Sequence, residues 1–482
     1  MASDHYDVLI IGAGLSGIGM ACRLAMACPE KRVGILERRQ AIGGTWDLFR
    51  YPGVRSDSDM FTFGFGFRPW NELKVLADGP AILRYIHDTA REHAVERLVR
   101  FGMRTTRASW SSAEERWTVT AVDEQGAEHA FTASFLVGCT GYYAYEQGYV
   151  PAFPGLGEFG GVFVHPQQWP PDLDWKGKRI VVIGSGATAI TLVPALASQA
   201  AHVTMLQRSP GYVLSVPSRD AISAMLLRIL PSRVVFRWAR QRNIALQRLL
   251  YRAAMRWPAR LRALLLAGVH QRLRGAASIA DFSPDYEPWV QRLCVVPDGD
   301  LFAAFREGKA SVVTGEIERF TPTGMVLASG ASIDADIVVC ATGFQLQVLG
   351  GMVLEVDGEV RDPGGLLTYK GVLLEGIPNA AVLFGYINAS WTLKVDLAAQ
   401  YVCRLLAWMD ERQARVVEPQ APPGEVTDTC IMDALRAGYV RRDESVLPRQ
   451  GRSGPWLVSH RYELDRRVLL DDPIDDPCLD TR

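Results

Sequence analysis

An α/β fold with two strand–turn–helix units, one split along the chain and the other inserted into it with a helical insertion of its own, is predicted by three observations. Residues 7–17 (DVLIIGAGLSG) and 179–189 (RIVVIGSGATA) repeat one plan about 170 residues apart: an apolar strand, a glycine turn and the start of a helix. Residues 135–141 (FLVGCTG) and 337–343 (IVVCATG) repeat a second plan, a buried strand ended by a tight turn. Residues 221–280 contain no Asp or Glu and have apolar side chains at spacings near 3.6, which predicts amphipathic helices.

Composition bounds the answer before any motif does. At roughly 100–200 residues per domain, 482 residues imply two to four domains, each large enough for its own core. With 52 Lys+Arg against 53 Asp+Glu and 48% hydrophobic residues, disorder is excluded and a dedicated nucleic-acid binder is not expected. The eight cysteines form no C-x-x-C pair, so neither a disulfide framework nor a metal site is expected, and a reducing cytoplasm fits. The first residues carry no basic leader with a long apolar region. Uncharged runs at 337–354 and 376–393 are interrupted by Gly, Gln, Asn and Pro, so a soluble or peripheral protein is expected.

The first unit runs from its glycine turn (Gly12, Gly14, Gly17) through a helix to Cys28 and re-emerges as the strand 33–37, VGILE. The first glycine permits the tight turn, the second lets main chain approach a pyrophosphate, and the third lets helix pack on strand. The helix N-terminus favours the anion. Glu37 stands 20 residues past the last glycine, where a carboxylate accepts from ribose hydroxyls. The second unit has Gly184, Ser185, Gly186, Ala187, Thr188 and Ala189 at its turn and re-emerges as 203–208, VTMLQR. Gln207 stands where the first unit has its carboxylate, and Arg208 follows, able to pair with a 2′-phosphate. The alternative for Arg208 is a solvated arginine at a strand end. These Rossmann-type units are therefore expected to hold FAD and NADPH respectively.

The two exit strands mark where the chain passes between units. The expected organisation is an FAD domain over 1–145 and again 345–482, the latter with a C-terminal tail, and an NADPH domain over 146–220 and 281–344, with the helical insertion 221–280 inside it. Twelve arginines fall between Arg228 and Arg274 of that insertion, and Pro231 and Pro258 divide its helices. Two readings stay open: solvated or paired arginines on a structural insertion, or contact with an anionic membrane surface.

Residues 43–57, GGTWDLFRYPGVRSD, and 159–170, FGGVFVHPQQWP, carry a resemblance to a known family. They resemble the flavin-side and inter-domain fingerprints of type I Baeyer–Villiger flavin monooxygenases. Nearly the whole chain is similar to the ethionamide-activating branch, as in 292–297 (RLCVVP) and 388–394 (NASWTLK). The resemblance implies an enzyme that reduces FAD with NADPH, captures O2 as a flavin C4a-peroxide, and converts ketones to esters, with sulfides oxidised as well. It implies Arg292 as the catalytic arginine and Asp57 as the carboxylate that orients it. An arginine suits a dry anionic site because it stays charged and its fork can bind oxygen and a carboxylate together. For FAD it implies Ser16, Glu37, Thr45, Trp46 and Asp47, with Thr105 a main-chain contact to adenine; Trp46 could equally be a plain core aromatic. For NADPH it implies the second turn, Gln207, Arg208, and Arg55 and Ser56 beside Asp57. His165 and Trp169 are expected at the hinge. Gln291 stands where many members have a lysine that grips the 2′-phosphate, which predicts a modest preference for NADPH. The rival expectations are an S- or N-oxygenating flavin monooxygenase acting on thioethers, thioamides or amines, and a non-enzymatic nucleotide sensor or membrane-associated interaction protein.

Overall fold

The computed structural model describes residues 4–291 and 293–482. Two sheets organise them. In the larger, eleven-stranded sheet, the strand Asp4–Ile11 lies between Val33–Leu36 and Glu128–Gly138 and is parallel to both. Its core residues Val8, Leu9 and Ile10 are wholly buried, as expected for a parallel strand covered on both faces. Beyond Glu128–Gly138 the sheet turns antiparallel through Arg116–Val122 and Arg104–Ser111. The chain returns to it late, with Val353–Val356 parallel to Arg104–Ser111 and Ala380–Val382 parallel to Glu128–Gly138. Helix Leu15–Ala27 packs against this sheet and against the long helix Trp391–Arg412.

The second sheet has five strands, all parallel, in the spatial order Ala310–Thr314, His202–Gln207, Arg179–Ile183, Ile337–Cys340, Val162–Val164. Helix Ala187–Ala197 covers it, with Ile190, Leu192, Val193 and Leu196 in its core.

The two passages between the sheets run side by side. Ala144 N–H donates to Gln345 O at 2.9 Å, Gln347 N–H to Tyr142 O at 3.0 Å, and Tyr149 N–H to Gly343 O at 3.2 Å. His165 joins the same ribbon: its Nδ1 accepts from Gln167 N–H at 3.2 Å, which leaves Nε2–H to donate to Gly343 O at 3.2 Å. Burial lowers the pKa of this histidine, so the ring stays neutral. Trp169 packs edge-on against Trp175, with ring centroids 5.9 Å apart.

The insertion forms helices Ala221–Leu226, Ser232–Arg256 and Pro258–Leu273. Pro231 caps the second and Pro258 opens the third, positions where a missing N–H costs nothing. Arg240 anchors the long helix. It is 6% exposed and donates to the carbonyls of Phe61, Thr62 and Gly64 at 3.0, 3.1 and 2.5 Å, at the C-terminal end of the short helix Met60–Phe63. Arg240→Ala is expected to leave these carbonyls buried and unpaired. A loss of about 2–4 kcal/mol and faster proteolysis within 221–273 should follow, read by thermal melting and limited trypsin digestion.

Candidate functional site

An elongated cavity of about 280 Å³ runs from the first glycine turn to the face of the second unit. At one end lies the turn itself. Gly12 has φ +102°, and a Cβ there would sit 2.8 Å from Cys139 O, so only glycine fits. A Cβ on Gly17 would sit 1.9 Å from Gly12 O, which measures how closely helix Leu15–Ala27 approaches the turn. Gly14 is the N-cap of that helix and offers no side-chain cap, so the first helical N–H groups are left for a ligand. Ser16 Oγ accepts from Trp391 Nε1–H at 3.0 Å, tying the turn to the C-terminal helix.

Glu37 is 4% exposed. Its Oε2 accepts from Ala13 N–H at 2.7 Å and its Oε1 from Arg39 N–H at 2.9 Å. Burial raises its pKa despite these bonds. Beside it in the cavity wall, Thr105 Oγ1 is buried and has no hydrogen-bond partner. A buried carboxylate, an unpartnered hydroxyl and open helix-end amides fit the adenosine and pyrophosphate of a dinucleotide.

Further along, Thr45 and Trp46 line the cavity; Thr45 Oγ1 is hydrogen-bonded to the Tyr143 hydroxyl, and Trp46 packs edge-on against Phe63 at 5.7 Å. Asp47 does not line it. Its carboxylate accepts from Arg39 at 2.5 Å and Arg50 at 2.6 Å, so the two arginines neutralise it where it was expected to face the cofactor. The wall here is aromatic: Tyr143, Phe49 and Phe344 form a mutually packed trio, with centroids 6.0 Å (Phe49–Tyr143), 4.9 Å (Tyr143–Phe344) and 5.8 Å (Phe49–Phe344) apart. Burial pushes the phenols of Tyr51 and Tyr145 up to about 12, which keeps them protonated.

At the far end stand Arg55, Asp57 and Ser58. Ser58 Oγ–H donates to Asp57 Oδ1 at 3.2 Å. Arg55 Nη1 donates to Asp300 Oδ2 at 2.5 Å, across to the helix Asp300–Arg306. Its Nε and Nη2 are buried without a hydrogen-bond partner, donors suited to an anionic or carbonyl ligand. Ser56 is not brought to the cavity; it is 1% exposed and its hydroxyl is spent on Ser58 O. Arg292 lies outside the described residues. Val295, on the strand Cys294–Pro297 that follows it, lines the cavity.

The second unit reaches the same cavity through Ala187, Thr188, Ile190 and Thr191. Gly184 has φ +134°, with a Cβ position 2.5 Å from Ala341 O, while Gly186 faces open space at the helix N-cap. Ala189 is fully buried under the helix, and Ser185 Oγ–H donates to Ser209 O at 3.0 Å. Gln207 differs from its expected role. It is 2% exposed, and its Nε2 donates to Asp281 O at 2.7 Å and Thr314 Oγ1 at 2.9 Å, so its amide is used within the fold. Arg208 is exposed and forms no ion pair with a described residue. The two units pack closely near this point: Gly53, at φ +76°, places its Cβ position 2.7 Å from Ala195 Cβ and 3.0 Å from Thr191 O.

Sequence reasoning missed Tyr51, Tyr143, Phe344 and Gln347 of the wall. A usable signal existed, since an aromatic residue follows each exit turn, at 142–143 and at 344.

Comparison with known proteins agrees with this fold. The profile of the family described as flavin-binding monooxygenase-like matches residues 73–360, and that of an NAD(P)-binding Rossmann-like domain matches 10–78. The chain is 54% identical to MymA of Mycobacterium tuberculosis strain H37Rv, whose name describes an FAD-containing monooxygenase, over 99% of this chain and 97% of that one. It is 48% identical to the FAD-containing monooxygenase EthA of the same strain, over 99% and 98%. Among solved structures, an oxidized steroid monooxygenase bound to NADP superposes with a TM-score of 0.75 at 24% identity, covering 97% of each chain. A cyclohexanone monooxygenase with bound ε-caprolactone gives 0.77 at 20% identity over 100% of each, so the fold is shared.

Proposed function

From the premise that the chain belongs to the flavin-binding monooxygenase-like family, we propose that it uses FAD, NADPH and O2 to insert oxygen beside a ketone carbonyl, forming an ester, and that it also oxidises sulfides. The balance is ketone, O2, NADPH and a proton giving ester, NADP⁺ and water. The observation that carries this reading is the single cavity to which both glycine-turn units contribute, with Asp57 and Arg55 inside it.

The domain division follows the same logic: an FAD domain of 1–145 and 345–482, and an NADPH domain of 146–220 and 281–344. The turn Gly12–Gly17, Glu37, Thr45, Trp46 and Thr105 would hold FAD; the turn Gly184–Ala189, Arg208 and Arg55 would hold NADPH. Bound flavin supplies the electron transfer and oxygen chemistry. In this reading Asp57 would orient the guanidinium of Arg292, and that guanidinium would supply a permanent positive charge beside the reacting oxygen. The aromatic wall of Phe49, Tyr143 and Phe344 excludes water, which strengthens that charge.

The test is product analysis of the purified protein with NADPH, O2 and a panel of aliphatic and aryl ketones plus a thioether. Ester formation is expected; sulfoxide with no ester from any ketone would replace this reading with heteroatom oxygenation. Arg208→Ala is expected to raise the KM for NADPH about 10- to 100-fold and leave NADH unchanged, because only NADPH carries the phosphate. Equal effects on both cofactors in steady-state kinetics would remove Arg208 from that role.

A further inference from the structure

The helical insertion plays no part in the cavity described above, and its surface is unusual. Of the nineteen large hydrophobic side chains exposed among the described residues, eleven lie between Ile222 and Leu264. Ile222, Met225, Ile229, Leu230, Val234 and Trp238 are 41–77% exposed and follow one another along the first helix, the connection after it and the start of the second. Monomeric soluble proteins seldom leave so much contiguous apolar surface in water.

Helix Ser232–Arg256 shows why this is not a misplaced core. At about 100° per residue, Val234, Trp238, Leu249, Arg252 and Arg256 fall within roughly 60° of one another, and the buried Phe236, Arg240 and Ala254 fall on the opposite side. The helix therefore has two apolar faces. One is spent on the body of the protein; the other mixes leucine, valine and tryptophan with arginine.

Charge selects the partner. Of the twelve arginines from Arg228 to Arg274, Arg242 pairs with Asp220, Arg248 with Glu463, and Arg240 is spent on carbonyls. The other nine form no ion pair with described residues. This cluster belongs to a chain whose net charge is only -1, so it is a local field and not a general basicity. Interleaved apolar and cationic side chains with two exposed tryptophans, Trp238 and Trp257, match the boundary between headgroups and acyl chains of an anionic bilayer. No helix among the described residues is long and apolar enough to cross a membrane.

We propose that the exposed face of 222–264 seats the enzyme on an anionic lipid bilayer, with Ile229 and Trp238 entering the acyl boundary and Arg228, Arg252 and Arg256 contacting headgroup phosphates. The proposal is independent of which substrate is oxidised.

The flavin-loaded full-length protein is sedimented with phosphatidylcholine vesicles and with vesicles carrying one quarter phosphatidylglycerol. Binding to the anionic vesicles alone is expected. The triple variant Arg228→Gln, Arg252→Gln, Arg256→Gln should lower the partition coefficient roughly a hundredfold, at about fivefold per arginine. The variant Ile229→Ser, Trp238→Ser should lower it at least tenfold and abolish the Trp238 share of fluorescence quenching by brominated acyl chains. Both variants should oxidise NADPH in solution as the parent does, which shows that they are folded. No vesicle binding, equal binding to neutral vesicles, or binding insensitive to either variant overturns the proposal. So does self-association in the absence of lipid that the same substitutions abolish, since a second copy would then be the occupant.

Discussion

Gly17→Ala is expected to give a protein that retains no flavin through gel filtration and melts at a markedly lower temperature. The added Cβ would stand 1.9 Å from the carbonyl oxygen of Gly12, a backbone atom that no side-chain rotation can move aside. Relief requires helix Leu15–Ala27 to lift from the strand Asp4–Ile11, at about 3 kcal/mol or more. That movement withdraws the helix-end amides from the pyrophosphate position. Gly14→Ala is the informative companion. Its nearest neighbour would be Gly44 Cα at 3.6 Å, ordinary contact, so the fold should survive while flavin affinity falls. Flavin absorbance per protein and a melting curve separate the two. A Gly17→Ala protein that keeps its flavin would mean that the cavity at this turn is not the flavin site.

Arg292→Ala is expected to keep bound flavin and to consume NADPH, but to lose ester formation by at least about 10²-fold, with the oxygen consumed released as hydrogen peroxide. The reasoning is electrostatic. In a cavity walled by stacked aromatic rings, an anionic reacting group without a fixed cation is disfavoured far more than in water. On the proposed roles, Arg292→Lys should recover part of the product, since lysine restores charge but not a fork able to engage oxygen and a carboxylate together. Asp57→Asn should fall between, because the guanidinium would remain without the carboxylate proposed to orient it. Gas chromatography of ester alongside a peroxide assay reads all three. Unchanged ester yield in Arg292→Ala would end that assignment.

The sequence carried the local parts of this architecture well. Gly12 and Gly184 were readable because a positive φ against the end of a neighbouring parallel strand leaves one residue type that fits, and Glu37 because the strand that ends in it has a fixed length from the turn. Thr105 was expected as a main-chain contact, and the structure places its buried, unpartnered hydroxyl in the cavity wall. What escaped was whatever depends on which partner a side chain finds, near in the chain or far from it. Gln207 is turned inward by Asp281 and Thr314, 74 and 107 residues away. Asp47 is claimed by Arg39 and Arg50, equally polar neighbours that a motif does not rank. The aromatic wall gathers Phe49, Tyr143 and Phe344 from three separate stretches of chain. In the insertion, periodicity gave helices but not which stripe is covered, since that is decided by where Arg240 finds its carbonyls.

The paired passages through 142–149 and 343–347 bear on how this enzyme moves. Two passages of one chain stitched into one ribbon resist stretching and shear more than torsion, so the expected soft motion of the smaller sheet is a twist about that ribbon. The Arg55–Asp300 ion pair bridges the two units at 2.5 Å with side chains only 13% and 30% exposed, so salt screens it weakly. Rotation, not separation, would then set the pace of nicotinamide exchange, and Asp300→Asn should quicken that pace at any ionic strength.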